Sequence, residues 1–145
     1  MIGVQPYLAF QGNCEEAINF YKDALGAELL FMQRFGESPM ADMAPAEKVM
    51  HCTLKIGDSH IMACDNMSPD HPTNVGNNIS LAIGTNDVER AQQMFDRMSE
   101  GGTVTMPMQQ TFWAERFGML TDKFGINWMF NCDKPEADGT AQTTS

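Results

Sequence analysis

The chain is short of basic residues: nine Lys and Arg stand against nineteen Asp and Glu, for a formal net charge of −10. Phosphate backbones and anionic headgroups are held by clustered cations, so neither nucleic acid nor a membrane surface is expected as a partner. Long apolar runs are missing too. No stretch nears the ~20 residues that a bilayer-spanning helix needs, and "MIGVQPYLAF" has no basic segment ahead of a long apolar one. The expectation is a soluble, cytoplasmic protein. The four cysteines, Cys14, Cys52, Cys64 and Cys132, include no Cys-x-x-Cys pair, which argues for reduced thiols rather than a disulfide framework. Glycine-rich strand-to-helix turns are also absent. "FQGNCEEA" and "IGTNDVERA" carry one Gly each, whereas a loop that lets the backbone approach S-adenosylmethionine is usually Gly-rich.

There is enough apolar material for a core: 43% hydrophobic residues, nine Phe, two Trp and thirteen Met in 145 residues, a length that suits one domain or two small modules. The patterning repeats. "VQPYLAF" reads as a strand, and "GNCEEAINFYKDALG" as a helix with Asn13 as N-cap, Ala17, Ile18, Tyr21 and Leu25 on its apolar face and Gly26 as terminator. "AELLFMQRF" is a second strand and "GESPMADMAPAEK" a loop; "KVMHCTLKIGDSHIMACD" is a hairpin turning at Gly57-Asp58. After the polar segment "NMSPDHPTNVGN" the order starts again. "NISLAIGT" is a strand, and "NDVERAQQMFDRMSEGG" a helix with Asn86 as N-cap and Val88, Ala91, Met94, Phe95 and Met98 on one face. "TVTMPMQQ" is a strand that Pro107 confines to an edge or bulge, and "FGMLTD" and "INWMFNC" form a closing hairpin. A repeat of about seventy residues accounts for the whole chain at once: module one spans about 3–66, a linker about 67–77, and module two about 78–133 of a single domain over 1–133. Residues 134–145 lack large apolar groups and read as a flexible tail.

Candidate site residues cluster in "QTFWAERFGMLTDKFGINWMF", which holds both tryptophans. Trp113 and Arg116 suit an aromatic wall and an anion-binding fork; the alternatives are that Trp113 plugs an open end and Arg116 pairs with Glu115 or Asp122. Gln109 and Gln110 can each donate and accept a hydrogen bond. His51 alternates with Thr53 and Lys55 on one strand face and is either a general base or ligand contact, or a structural histidine. Asp65, at a strand end, either caps a turn or points at a ligand. "HIMACD" reads as a strand covered on both faces, Cys64 as a buried thiol or a nucleophile, and Phe117 to Phe130 chiefly as core.

The twofold β-α-β-β-β pattern, with "PYLAFQGNCEEAINFYKDALGAEL", "IGDSHIMACD" and "QTFWAERFGMLTDKFGINWMFN", resembles the PhnB-like branch of the vicinal oxygen chelate superfamily, which includes glyoxalase I, extradiol dioxygenases and bleomycin- and fosfomycin-resistance proteins. The resemblance implies an α+β fold of two βαβββ modules forming a curved, cup-shaped mixed sheet, often as a homodimer. It fixes no single activity. In metal-using members His, Gln and Glu project from the first and last strands of each module around a divalent ion. Their pattern falls here on Pro6, about Met62 or Ala63, about Ser80 and about Met129, so no metal and no cofactor are expected. What remains is an uncharacterised small-molecule-binding protein. The alternatives are a metal-dependent lyase, isomerase or dioxygenase of the glyoxalase type, and a drug-sequestering protein of the resistance type whose acidic surface suits cationic compounds. The methyltransferase label attached to this branch conflicts with the missing Gly-rich loop.

Overall fold

Helix α1, Cys14–Leu25, forms where Glu15 and Glu16 favour the positive N-terminus and Lys22 the C-terminus, and it stops at Gly26, whose φ of 66° is left-handed. Its buried stripe, Cys14, Ala17, Ile18, Tyr21, Ala24 and Leu25, has the 3.6-residue period read from the sequence. Strands β1 (Tyr7–Phe10), β2 (Glu28–Arg34), β3 (Val49–Ile56) and β4 (Ser59–Asp65) complete the first unit. The structure is a computed structural model that describes residues 2–39 and 41–134; apart from Lys134, the expected tail lies outside the described residues.

The second unit repeats the order with β5 (Leu81–Thr85), α2 (Val88–Met98), β6 (Thr103–Gln109), β7 (Ala114–Thr121) and β8 (Asn127–Asp133). Each unit carries one four-stranded mixed sheet, ordered β1-β4-β3-β2 and β5-β8-β7-β6. In both sheets the first strand pairs parallel to the last while the remaining pairs are antiparallel. This is the expected α+β fold of two βαβββ modules. The units divide as Met1–Asn74 and Val75–Ser145, inside the segment read as a linker.

Several turns and strand positions follow the expected pattern. The first hairpin turns at Gly57 with φ 56°, the conformation that costs glycine least. Pro107 sits in β6, an edge strand of its sheet, within the register shift between Met106 and Gln109. The caps differ from the sequence reading. Asp87, not Asn86, caps α2 by accepting from the Arg90 N–H at 3.1 Å. Asn13 occupies the cap position of α1, but its side chain makes no capping bond; a residue distant in sequence, Asp65, takes that role.

Each core lies between a sheet and its helix. In the first unit α1 meets Cys52, Leu54, Ile61 and Ala63; in the second the buried Ala91, Met94, Phe95 and Met98 of α2 meet Leu120, Trp128 and Phe130. Phe95 and Phe130 pack edge to face, centroids 5.6 Å apart, a geometry favoured by the ring quadrupoles. Gly118 on β7 leaves room for that contact, because a Cβ there would lie 2.8 Å from both Phe95 Cε2 and Met108 Sδ. Gly118→Ala is therefore expected to destabilise the protein by about 1–3 kcal/mol through overpacking, read as a lower urea midpoint with an unchanged slope.

Only one face of each sheet is closed. Along β4, Ile61, Ala63 and Asp65 are buried while His60, Met62 and Cys64 are half-exposed; along β8, Trp128, Phe130 and Cys132 are buried while Asn127, Met129, Asn131 and Asp133 are half-exposed. This corrects the readings of "HIMACD" as covered on both faces and of the closing hairpin as chiefly core. Strand alternation sends every second side chain to the face away from the helix.

Candidate functional site

On the open face of the second sheet lies a cavity of about 440 Å³. Its floor is built from β5 and β8, whose parallel register sets Ala82 beside Met129 and Gly84 beside Asn131. Ala82, Ile83, Gly84, Met129, Asn131 and Asp133 line it, with Phe117 of β7 and Trp113 of the β6–β7 connection. Small residues on β5 leave the space; thioether and aromatic groups wall it.

Trp113 is held there by local chemistry. The Thr111 N–H donates to the Ala114 carbonyl at 3.1 Å and the Ala114 N–H to Thr111 Oγ1 at 3.0 Å, a tight turn that presents the residues between them. The Trp113 ring then meets Phe117 at 5.3 Å and Phe112 at 4.8 Å, both near edge to face. Phe112 itself is 87% exposed.

One end of the cavity is polar. The Asn131 amide donates to Asp133 Oδ1 at 2.9 Å, and both residues line the space. The charge there is net negative. The Cys132 thiol is pushed up by burial and then by Asp133, Glu115 and Asp87, with Arg116 opposing. A cationic or hydrogen-bond-donating group of a ligand fits this end, and a ring or chain fits the other.

The structure separates the other sequence candidates. Gln109 and Gln110 are exposed and, with Arg116, do not line the cavity. Arg116 donates to the Glu115 carbonyl at 2.7 Å and lies 3.5 Å from the Glu115 carboxylate, so the surface pairing weighed for it is the one present. Trp113 alone of that set reaches the cavity. Phe117, read from the sequence as core, lines the cavity together with Asn131 and Asp133, which were not among the sequence candidates; the period-two alternation of "NWMFNCD" is a signal for the latter two.

Asp65 and His51 belong to the first unit. Asp65 is buried; its Oδ1 accepts from the N–H groups of Gly12 at 3.0 Å and Cys14 at 2.9 Å, and its Oδ2 from that of Val49 at 2.9 Å. These bonds turn the carboxylate toward the N-terminus of α1, so its role is a cap, reaching beyond the local turn that the sequence suggested. His51 lies on the open face of the first sheet, its Nδ1 3.0 Å from the Tyr7 hydroxyl, with the Phe31 ring 6.1 Å away.

A divalent metal of the kind used by related folds needs imidazole or carboxylate donors. The positions given by the family pattern offer Pro6, Met62 or Ala63, Ser80 and Met129, and among the described residues no three His, Cys, Asp or Glu are gathered closely enough to hold an ion. This donor set does not fit such a metal. No helix among the described residues is long and apolar enough to cross a membrane.

Comparison with known proteins agrees with this architecture. The chain is 37% identical over 144 residues to protein YjdN of Escherichia coli K12, covering 92% of this chain and 97% of that one. The crystal structure of PA1353 from Pseudomonas aeruginosa matches with a TM-score of 0.81 at 40% identity, over 92% of this chain and 98% of that one. A PhnB protein from Bacillus cereus shares the fold, with a TM-score of 0.78 at 23% identity over 90% and 99% of the two chains. With residues 3–130 matching its family pattern, the chain belongs to the Glyoxalase/Bleomycin resistance protein/Dioxygenase superfamily.

Proposed function

We propose that the protein binds a small molecule in the cavity on the second sheet, with the apolar part of the ligand against Trp113, Phe117 and Met129 and its polar part toward Asn131 and Asp133. The observation that carries this reading is the cavity itself: its volume lies in the ~300–1,000 Å³ range of ligand pockets, and a few polar groups converge at one end of an apolar wall. Binding proceeds without a metal at the family's ligand positions, whose donors are unsuited to one. The working form is a cytoplasmic homodimer, in keeping with the sheet edges that strand order leaves at β1, β2, β5 and β6. Light scattering that gives a strict monomer at high micromolar concentration overturns the dimer.

A ligand that binds only the native state raises its melting temperature. A thermal-shift screen of quinols, small oxo acids, cationic aromatic drugs and divalent metals is expected to yield an organic ligand that quenches Trp113 emission. Trp113→Ala is expected to weaken that ligand by about tenfold or more, as loss of a central aromatic contact does. If no organic compound shifts the melting curve and a divalent metal does, the metal-dependent lyase, isomerase or dioxygenase reading replaces this one.

The Asp133 carboxylate favours a second reading, sequestration of a cationic drug, in which binding is itself the function. Affinity for cationic compounds that falls in Asp133→Asn, with no chemical change in the compound, supports it; turnover of the compound refutes it.

A further inference from the structure

Two glycines lie inside strands of the second unit, Gly84 in β5 and Gly118 in β7, and they answer to different demands. Packing requires Gly118, whose added Cβ would crowd Phe95 and Met108 at 2.8 Å. Gly84 meets no such requirement. Its φ lies outside the left-handed range, and beyond its chain neighbours a Cβ built on it meets no atom of the described residues within 4 Å. Neither backbone conformation nor packing calls for glycine there, although glycine weakens a strand interior. A strand glycine of this kind marks a place where a ligand or another backbone comes close, and Gly84 lines the cavity on the open face.

Register gives the gap its shape. Asn131 of β8 has Gly84 beside it on β5 and Phe117 beside it on β7. Adjacent strands lie ~4.8 Å apart, which sets Gly84 and Phe117 about 10 Å from one another across Asn131. An aromatic side chain stands on one side of this row and none on the other. Asp133, which accepts from the Asn131 amide at 2.9 Å, makes this end of the cavity an acceptor of hydrogen bonds and of positive charge. A flat ring can come down onto the bare β5 main chain at Gly84, reach Asn131 with its edge and keep Phe117 at its side. A cage-shaped group of the same volume touches that floor with few atoms, and dispersion contact is lost over a small gap.

We propose that Gly84 is a specificity-determining residue of the cavity and that it selects planar conjugated rings carrying an amine or amidine at the edge. The proposal rests on the binding reading given above and narrows it to one ligand class. The ring lies against the main chain of β5, with its nitrogen toward Asn131 and Asp133. A side chain at position 84 lifts the ring from the strand and draws the nitrogen away from the carboxylate. Stability and binding thus pull this position in opposite directions, because a β-branched residue suits a strand and here would enter open space.

Proflavine, a planar diaminoacridine cation, is the probe, and 1-aminoadamantane its cage-shaped counterpart; calorimetric titration of the full chain measures both. The wild-type protein is expected to prefer proflavine by about tenfold or more, the scale on which a pocket senses an extra or missing methylene. Gly84→Val is expected to weaken proflavine by about tenfold or more, as overfilling a packed site does, with Gly84→Ala in between, while the urea midpoint of Gly84→Val stays level or rises. Proflavine affinity that falls in Trp113→Ala but survives Gly84→Val overturns this proposal and leaves the cavity reading standing; affinity that survives both variants overturns the two together. A lowered urea midpoint in Gly84→Val overturns it as well, since the fold then needs the glycine, and so does a wild-type protein that binds no proflavine or prefers the cage. If Gly84→Val changes the oligomeric state in light scattering and not the affinity, the proposal also falls, and the gap belongs to another chain's backbone.

Discussion

Asp65→Ala should destabilise the protein by about 3–5 kcal/mol, among the largest effects a single substitution has, because it strips three backbone N–H groups of a charged acceptor at once. Two of those groups, on Gly12 and Cys14, lie at the start of α1, and the third, on Val49, opens β3. The carboxylate also sits where the helix dipole favours negative charge. Asp65→Asn should recover only part of the loss, since an amide keeps one acceptor and turns a donor toward N–H groups. Urea unfolding of both variants is the measurement. A cost under about 1 kcal/mol for Asp65→Ala would mean that water replaces the carboxylate at all three groups.

The second unit rests on a comparable carboxylate. Asp122 is buried; its Oδ1 accepts from the N–H groups of Phe124 at 2.8 Å and Ile126 at 3.0 Å, and its Oδ2 from Trp128 Nε1 at 2.9 Å. One side chain thereby shapes the β7–β8 turn and fixes the largest residue of the core. Asp122→Ala is expected to cost about 3–4 kcal/mol, with the indole N–H left unpaired in an apolar site. The protein has two tryptophans, so in a Trp113→Phe background the emission of Trp128 reports the change directly. A shift to longer wavelength is expected as water reaches the ring. Unchanged emission and stability would assign the turn to its backbone bonds alone.

Asp65 was legible only as a turn cap or ligand contact, and Asp122, whose partners lie within six residues, only as a partner for Arg116. The bonds of Asp65 join it to residues 51, 53 and 16 positions away, and no local window holds that information. What was legible was periodic or local: the repeat, the two helix stripes, the Gly57 turn and the edge placement of Pro107. The α2 cap slipped by one because Asn86 and Asp87 are both good capping residues and adjacent. Of the cavity, Trp113 could be seen as an aromatic in a polar loop. Ala82 and Gly84 could not, because what they contribute is the absence of bulk, and that matters only once register sets them beside Met129 and Asn131.

The parallel pairing of first strand with last also sets an order in time. Tyr7 meets Met62 and Leu81 meets Trp128, closures of roughly 50 residues that carry a loop-entropy cost which the local hairpins β3–β4 and β7–β8 avoid. The hairpins can therefore form early, while β1 and β5 wait for their partners. During synthesis the first unit stays an incomplete sheet until Asp65 has left the ribosome and reached the start of α1. The residue that caps the first helix is thus also the signal that its module has been made in full.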